Sequence, residues 1–518
     1  MQVPKLHLCA LPLLAGLLLS TPAFARSNAP VVSSLEDCNV TWDTPSGDSF
    51  GSMPLGNGDV GLNVWAEHNG DVVFYVSKVD AFDSGHLLPK LGRVRIRFEP
   101  ALTAKNFRQS LVLRDAAVAI RADDVDLRLW VDANHPVVRV EGRGATPRKL
   151  TVSAESLRPW KDAGEPLPAK GTAAVLFKDD QNRVAWCYRN QSSVWAGNFA
   201  AQNTPEMVAK TKDPILGRTS GCVLSGDGLV RSADNALSSP KPISKFDVSV
   251  RVHGGQPQSI TRWLEEAQTP PRSDWKAHRA YWASFWDRSY IRVGSCGDET
   301  VNLDQSRFTQ YAQASKAYEG HKLLAPDVNA FQLSQRYALE RFSQAAASRG
   351  AVPPPYNGSI FTMDMPAGVL GFNATKKHPV SPDGRDWAIL SFMWQNTRHP
   401  YWSMMGRGDY DTITPGMRFV RDGLDLARDR CRKQFGVEGA VIMEASWWHN
   451  VGVFNWERVP PHLRYHQLPT IEIPAIMIET YEHTQDHRWF EEVLLPCAEA
   501  GIEYYFNRFT ERDAQGRL

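Results

Sequence analysis

The stretch Val125-Asp126-Leu127-Arg128-Leu129-Trp130-Val131 decides how the first half of the chain folds. Apolar and polar residues alternate along it with period two. Successive side chains of a strand point to opposite faces, so this is a strand with one buried side. Upstream, Val72-Val73-Phe74-Tyr75-Val76 is a short apolar strand after the turn Asn69-Gly70-Asp71. Val94-Arg95-Ile96-Arg97-Phe98 alternates, and Val118-Ala119-Ile120-Arg121 does so less clearly. Downstream, Val137-Val138-Arg139-Val140 and Lys149-Leu150-Thr151-Val152 are expected as two strands with Gly and Pro between them. Many short strands at even spacing predict an all-β domain over residues 26–255, of β-sandwich type.

The period changes near residue 256. Residues 261–267 and 275–286 have helical spacing, and the second carries Ala277, Tyr281, Trp282 and Phe285 on one face. Residues 256–297 are therefore expected as a helical linker. From 298 to 518 the pattern is helical, with helices expected at 305–318, 330–348, around Trp387, and at 415–435, 470–483, 486–495 and 497–509. The last two are expected as a pair joined at Pro496. Asp486 is placed as an N-cap, and Pro474 marks a possible helix start. The segment 350–395 is rich in Gly, Pro, Asn and Asp, and a loop of that length inside a domain is usually functional.

Composition bounds the partners. The chain has 518 residues, which implies two or three domains. Its 58 Lys and Arg against 57 Asp and Glu give a net charge of +1. Such a balance has no electrostatic footprint for nucleic acid or an anionic membrane. The 17 Trp, 14 Tyr and 22 Phe supply many flat faces. Residues 1–25 have the pattern of a secretory signal peptide: Lys5 and His7, an apolar run over 8–19, then Ala23-Phe24-Ala25. This predicts a secreted or periplasmic protein with no membrane anchor after cleavage. Six cysteines follow the signal without a CxxC, and Cys187 with Cys222 is the nearest pair for a disulfide, buried thiols being the equal alternative.

The densest chemical feature is Trp394-Gln395-Asn396-Thr397-Arg398-His399-Pro400-Tyr401-Trp402. Aromatic faces suit the C–H faces of sugar rings, while amides and Arg suit hydroxyls. Trp447-Trp448-His449-Asn450 repeats the theme after Glu444. Hydrolysis of a glycosidic bond usually takes two carboxyl groups. Glu444 lies among Val441, Ile442, Met443 and Ala445, where burial would favour its protonated form and a general-acid role. Glu472 and Glu479 share a face if one helix holds both, and Asp409 and Asp411 follow Trp402. His462 with His466 and His483 with His487 have i,i+4 spacing, but without HExxH they make weak metal candidates, and no metal or other cofactor is expected. There is no GxSxG and no GxxxxGK[ST]. Gly56, Gly58 and Gly61 match GxGxxG, but strands follow them and no helix does.

Ser52-Met53-Pro54-Leu55-Gly56-Asn57-Gly58-Asp59-Val60-Gly61-Leu62-Asn63-Val64-Trp65 and Phe74-Tyr75-Val76-Ser77-Lys78-Val79-Asp80 resemble the opening motifs of exported bacterial proteins in the family-95-like glycoside hydrolase group, with a DUF5703-type N-terminal domain. Pro355-Tyr356-Asn357-Gly358-Ser359-Ile360-Phe361 and Gln395-Asn396-Thr397-Arg398 with Tyr401-Trp402 continue the resemblance over essentially the whole mature chain. It implies an α-L-fucosidase-like architecture of the six-hairpin glycosidase superfamily: β-sandwich, helical linker and (α/α)6 barrel. The family's strip reads Asn-Ile-Asn, then Tyr-Trp; the second Asn matches Asn396, and the first falls on Trp394. The family's acid Glu and base Asp are expected beyond Leu518. A twelve-helix barrel takes about 300 residues or more, so the barrel is expected to be incomplete in 298–518.

The function expected is an exported glycoside hydrolase acting by inversion on an oligosaccharide or polysaccharide. Asn396 and Glu444 are its expected catalytic residues. Asn357, Trp394, Arg398, Tyr401, Trp402, Trp447 and His449 are expected to bind substrate. A carbohydrate-binding protein of the same architecture that does not cleave its ligand is the alternative, and a phosphorylase or lyase on the same barrel is a third.

Overall fold

The computed structural model describes residues 32–268, 272–293, 330–355, 359–364, 383, 392–452, 455–458 and 461–517. It divides into two compact units. One comprises Met1–Val31 and Val293–Leu333, the other Val32–Arg292 and Ser334–Leu518. Nearly all described residues belong to the second, which has a large sheet-rich N-terminal domain and a helical C-terminal region. The expected signal peptide, the helix at 305–318, the helix near Trp387 and most of the loop at 350–395 lie outside the described residues.

The strands from Val40 to Gly255 form one branched sheet, and Phe392–Met393 pairs with Ala445–Ser446 in a separate two-stranded one. Across the first branch the order is Val40–Trp42, Arg108–Val112, Ala117–Ala122, Val125–Val131, Val137–Glu155, Ile243–Gly255, Thr219–Gly226, Arg183–Asn190, Thr172–Phe177 and Trp160–Asp162. The second branch sets Met53–Gly56, Val60–Ala66, Val72–Lys78 and Gly92–Glu99 in turn against Val137–Glu155, whose other side takes Ala236–Ser238 and Val230–Ala233. Alternation does what period two requires: Val94, Ile96 and Phe98 are buried while Arg97 and Glu99 are exposed.

One strand belongs to both branches. Val137–Val140 pairs with Val131–Leu129 on one side and Arg251–Val248 on the other, whereas Lys149–Glu155 pairs with Glu99–Arg93. Two strands were expected here, and the structure has a single strand of 19 residues. Pro147 does not break it because the ladder with Ile243–Gly255 shifts register between Ile243 and Lys245, leaving the proline outside the regular pairing. Register also overturns the Cys187–Cys222 pairing. Cys222 is paired with Trp186 and Cys187 with Gly221, so the two thiols point to opposite faces. Both are buried and free, as are Cys38, Cys431 and Cys497.

The helices are α1 (Trp195–Ala201), α2 (Ile260–Gln268), α3 (Trp275–Arg288), α4 (Ala330–Ala345), α5 (Trp394–Gly406), α6 (Tyr410–Asp422), α7 (Leu424–Phe435), α8 (Pro461–Arg464), α9 (Pro469–Thr484) and α10. The last runs without a break through His487–Trp489, Phe490–Leu494 and Leu495–Arg508. Asp486 caps it, accepting from the N–H groups of Arg488 and Trp489. Its middle segment is a π turn, with Leu495 N–H bonded to Phe490 O, so the chain passes Pro496 as one helix rather than two. The helix expected at 415–435 is divided at Gly423, where a Cβ would lie 2.6 Å from the carbonyl carbon of His449. In α3, Trp282 and Phe285 are buried as expected, with His278 and Trp286, but Ala277 is exposed. Trp394, Tyr401, Met417, Ile473, Ile476 and Trp489 share the core joining α5, α6, α9 and α10. Among the described residues no helix is long and apolar enough to cross a membrane.

The GxGxxG stretch joins the two regions. Asn57 Oδ1 accepts from Asp59 N (3.0 Å) and Val60 N (2.8 Å), while its Nδ2 donates to Asp132 O and His135 O. Gly58, at φ +91°, donates to Ala346 O (2.8 Å) and accepts from Arg349 N (3.1 Å), just past the end of α4. Gly56 and Gly58 admit close backbone approach to the end of α4.

Candidate functional site

The aromatic tract is helix α5, and its spacing sets what each residue can reach. Trp394, Arg398 and Trp402 recur at four-residue intervals and occupy one side. All three converge on Glu472 of α9. Trp394 Nε1 donates to Oε2 at 2.8 Å, Arg398 donates to Oε2 at 3.2 Å, and Trp402 Nε1 donates to Oε1 at 3.2 Å. The carboxylate is thus held by three donors from one helix. Of the two indoles, that of Trp394 is buried while that of Trp402 is 43% exposed, leaving a flat face open beside the carboxylate.

Glu444 sits under the start of the same helix, just before the short strand Ala445–Ser446 that pairs with Phe392–Met393. Its backbone carbonyl accepts from Trp394 N at 2.7 Å, and its side-chain Oε1 accepts from Gln395 N. His466 Nδ1 lies 2.6 Å from Oε2, an ion-pair contact off the line of a hydrogen bond. The carboxyl is wholly buried, and that burial raises its proton affinity above the ordinary carboxylate range, against the opposing pull of His466 and Arg398. Arg398 therefore faces both glutamates: it bonds one and lies within electrostatic reach of the other.

The structure distributes the remaining expected residues differently. At 100° per residue, Asn396 points about 200° away from Trp394, toward the side where Ser403 meets Glu340 and Gln344 of α4. It is not on the stripe that meets Glu472. Tyr401 is 4% exposed and stacks on Trp394 with centroids 5.7 Å apart, so it packs the core beneath the site. Trp447 is fully buried, stacked on His86 (4.0 Å) and Phe392 (5.4 Å), and cannot offer a face to a ligand. His449 takes a left-handed conformation (φ 54°), lies edge-on to Trp195 of α1, and has its proton affinity lowered by burial. Asn357 lies outside the described residues. A cavity of about 30 Å³ under Trp394, Thr397 and Tyr401 has room for about one water and for no sugar ring.

Other carboxylates are accounted for by partners. Asp409 is buried in a two-pronged pair with Arg341 (2.8 and 2.9 Å), and Asp411 binds Tyr281 and Arg288. Helix α9 does carry both Glu472 and Glu479, but Glu479 is exposed. His483 Nδ1 lies 2.8 Å from Glu479 O, and His487 faces the Tyr481 hydroxyl. The side chain of His462 lies outside the described residues. Among the described residues no group of three or more His, Cys, Asp or Glu could hold a metal ion.

Sequence reasoning flagged Glu472 only through Glu479, and His466 only through His462. The i,i+4,i+8 recurrence of Trp394, Arg398 and Trp402 is the signal that one acceptor could collect all three.

Residues 41–291, the sheet-rich domain with α2 and α3, match the family model described as domain of unknown function (DUF5703). No curated protein matches the chain. Among solved structures the chain is similar to a bacterial glucoamylase complexed with acarbose, at 9% identity and a TM-score of 0.32. That alignment covers 92% of this chain and 60% of the glucoamylase, so the chain spans less than two thirds of that protein's length.

Proposed function

We propose that this protein is an exported glycoside hydrolase acting by inversion on an oligosaccharide or polysaccharide. One observation carries the reading: two glutamates, Glu444 and Glu472, flank Arg398 beside the exposed indole of Trp402. A sugar ring would stack on Trp402, and Glu472 with Arg398 would bind its hydroxyls. Glu444, whose proton affinity burial raises, would act as general acid toward the leaving oxygen while a water attacks the anomeric carbon and gives its proton to Glu472. Fucosides and related exo-linked glycosides head the substrates to test. Glu444→Gln and Glu472→Gln should each lower kcat/KM at least about 100-fold with the fold intact by circular dichroism. Full turnover by either variant refutes the assignment. Inversion is read from the anomer first seen by NMR, and export from a mature N-terminus at Arg26.

A binding protein that does not cleave is the second reading, favoured by the complete enclosure of Glu444. Saturable calorimetric binding that Trp402→Ala abolishes, with no product by chromatography, selects it.

A further inference from the structure

We propose that His466 is a positioning residue for Glu444, holding Oε2 in place and balancing the enclosed carboxylate when its own ring is protonated. This rests on the reading of Glu444 as the acid. The two oxygens of that carboxyl are held differently. Oε1 takes a backbone N–H, from Gln395, which no side-chain change removes. Oε2 has His466 Nδ1 at 2.6 Å. The imidazole is 34% exposed and the carboxyl not at all. His466 comes from the segment leading into α9. From α5 the charged group facing Glu444 is Arg398, which α9 already engages through Glu472. Arg398 is thus shared between two carboxylates, while the contact of His466 is with Glu444.

The consequence is a pH dependence with a definite sign. Burial makes the folded protein hold the Glu444 proton to higher pH than the unfolded chain does. Its contribution to stability is therefore complete at low pH and falls as pH rises above the ordinary carboxylate range. A protonated His466 balances the ionised carboxyl, so its removal steepens the fall over the range in which the ring would carry that charge.

The test is the thermal midpoint of the full chain between about pH 4 and about pH 6, where an imidazole carries its charge. It is run for the wild type, His466→Gln, Glu444→Gln and the double variant. His466→Gln should lose at least about 2 °C more than the wild type over that range. Glu444→Gln should show less pH dependence than the wild type, and the double variant should follow Glu444→Gln. Parallel curves for His466→Gln and wild type overturn the proposal. So does a double variant that keeps the His466→Gln slope, because the effect would then bypass Glu444. On a cleaved substrate, His466→Gln should move the alkaline limb of kcat to higher pH with KM unchanged. If Glu444→Gln retains turnover while the thermal cycle behaves as expected, the acid assignment fails and the dyad stands.

Discussion

At the scale of single residues, a buried ion pair away from Glu444 makes a firm electrostatic commitment. Arg341 is 1% exposed, donates to both oxygens of Asp409 and to the carbonyls of Phe285 and Ser289, and lies over the Phe285 ring. One guanidinium thus ties α4 to the end of α3 and to the turn before α6. Asp409→Ala would leave Arg341 charged, buried and short of its partner. It should cost about 3–5 kcal/mol in urea denaturation, whereas Arg341→Met with Asp409→Leu should recover much of that loss. Asp409 illustrates how far a sequence can take this kind of judgement. A carboxylate in a loop after an aromatic strip is a fair candidate for chemistry, and only the approach of α4, some seventy residues earlier, shows it to be half of an ion pair. Trp447 and Tyr401 carry the same lesson: residue type predicts affinity for a sugar, but burial decides whether a sugar can arrive.

At the scale of elements, helix α5 separates two roles that share nine consecutive residues. Its inward side packs Trp394, Tyr401 and Met404, and its border holds Arg398 and Trp402 against α9. Glu472→Ala would strand two indole N–H groups and a guanidinium, and should destabilise the protein by about 1–3 kcal/mol. Glu472→Gln keeps an acceptor and should cost less. Trp402→Ala, at a 43% exposed site, should change stability by no more than about 1 kcal/mol while removing sugar binding measured by calorimetry. This contrast distinguishes a ligand platform from a packing residue. The strand elements were legible because their signals are local: the apolar run at 72–76 and the alternation at 94–98 and 125–131 all lie within strands. The helix partners were not, since nothing in residues 394–402 states that residue 472 will face them. Breaks were misjudged where packing rather than propensity sets them, at Gly423, Pro496 and Pro147.

At the scale of the whole molecule, the sheet-rich domain and the helical region are stitched by Gly58 against Arg349 and by Phe82 and His86 against Trp447. A Cβ on Gly58 would fall 2.3 Å from that of Arg349, at a φ that L-residues avoid. Gly58→Ala should therefore lower the thermal midpoint by several degrees. Calorimetry should show both regions melting in one transition, since the contacts that Gly58 makes span them. Two well-separated transitions in the wild type would contradict that coupling. The strand Val137–Glu155 has a further consequence, in the time domain. Its earlier half waits for Ile243–Gly255, about a hundred residues downstream, whereas its later half can pair at once with Gly92–Glu99. During synthesis the part of the second branch from Met53 to Glu99 can assemble on that half while the first branch still lacks its central neighbour. The nascent chain then carries an open edge until Gly255 clears the ribosome, the interval in which a chaperone would matter most.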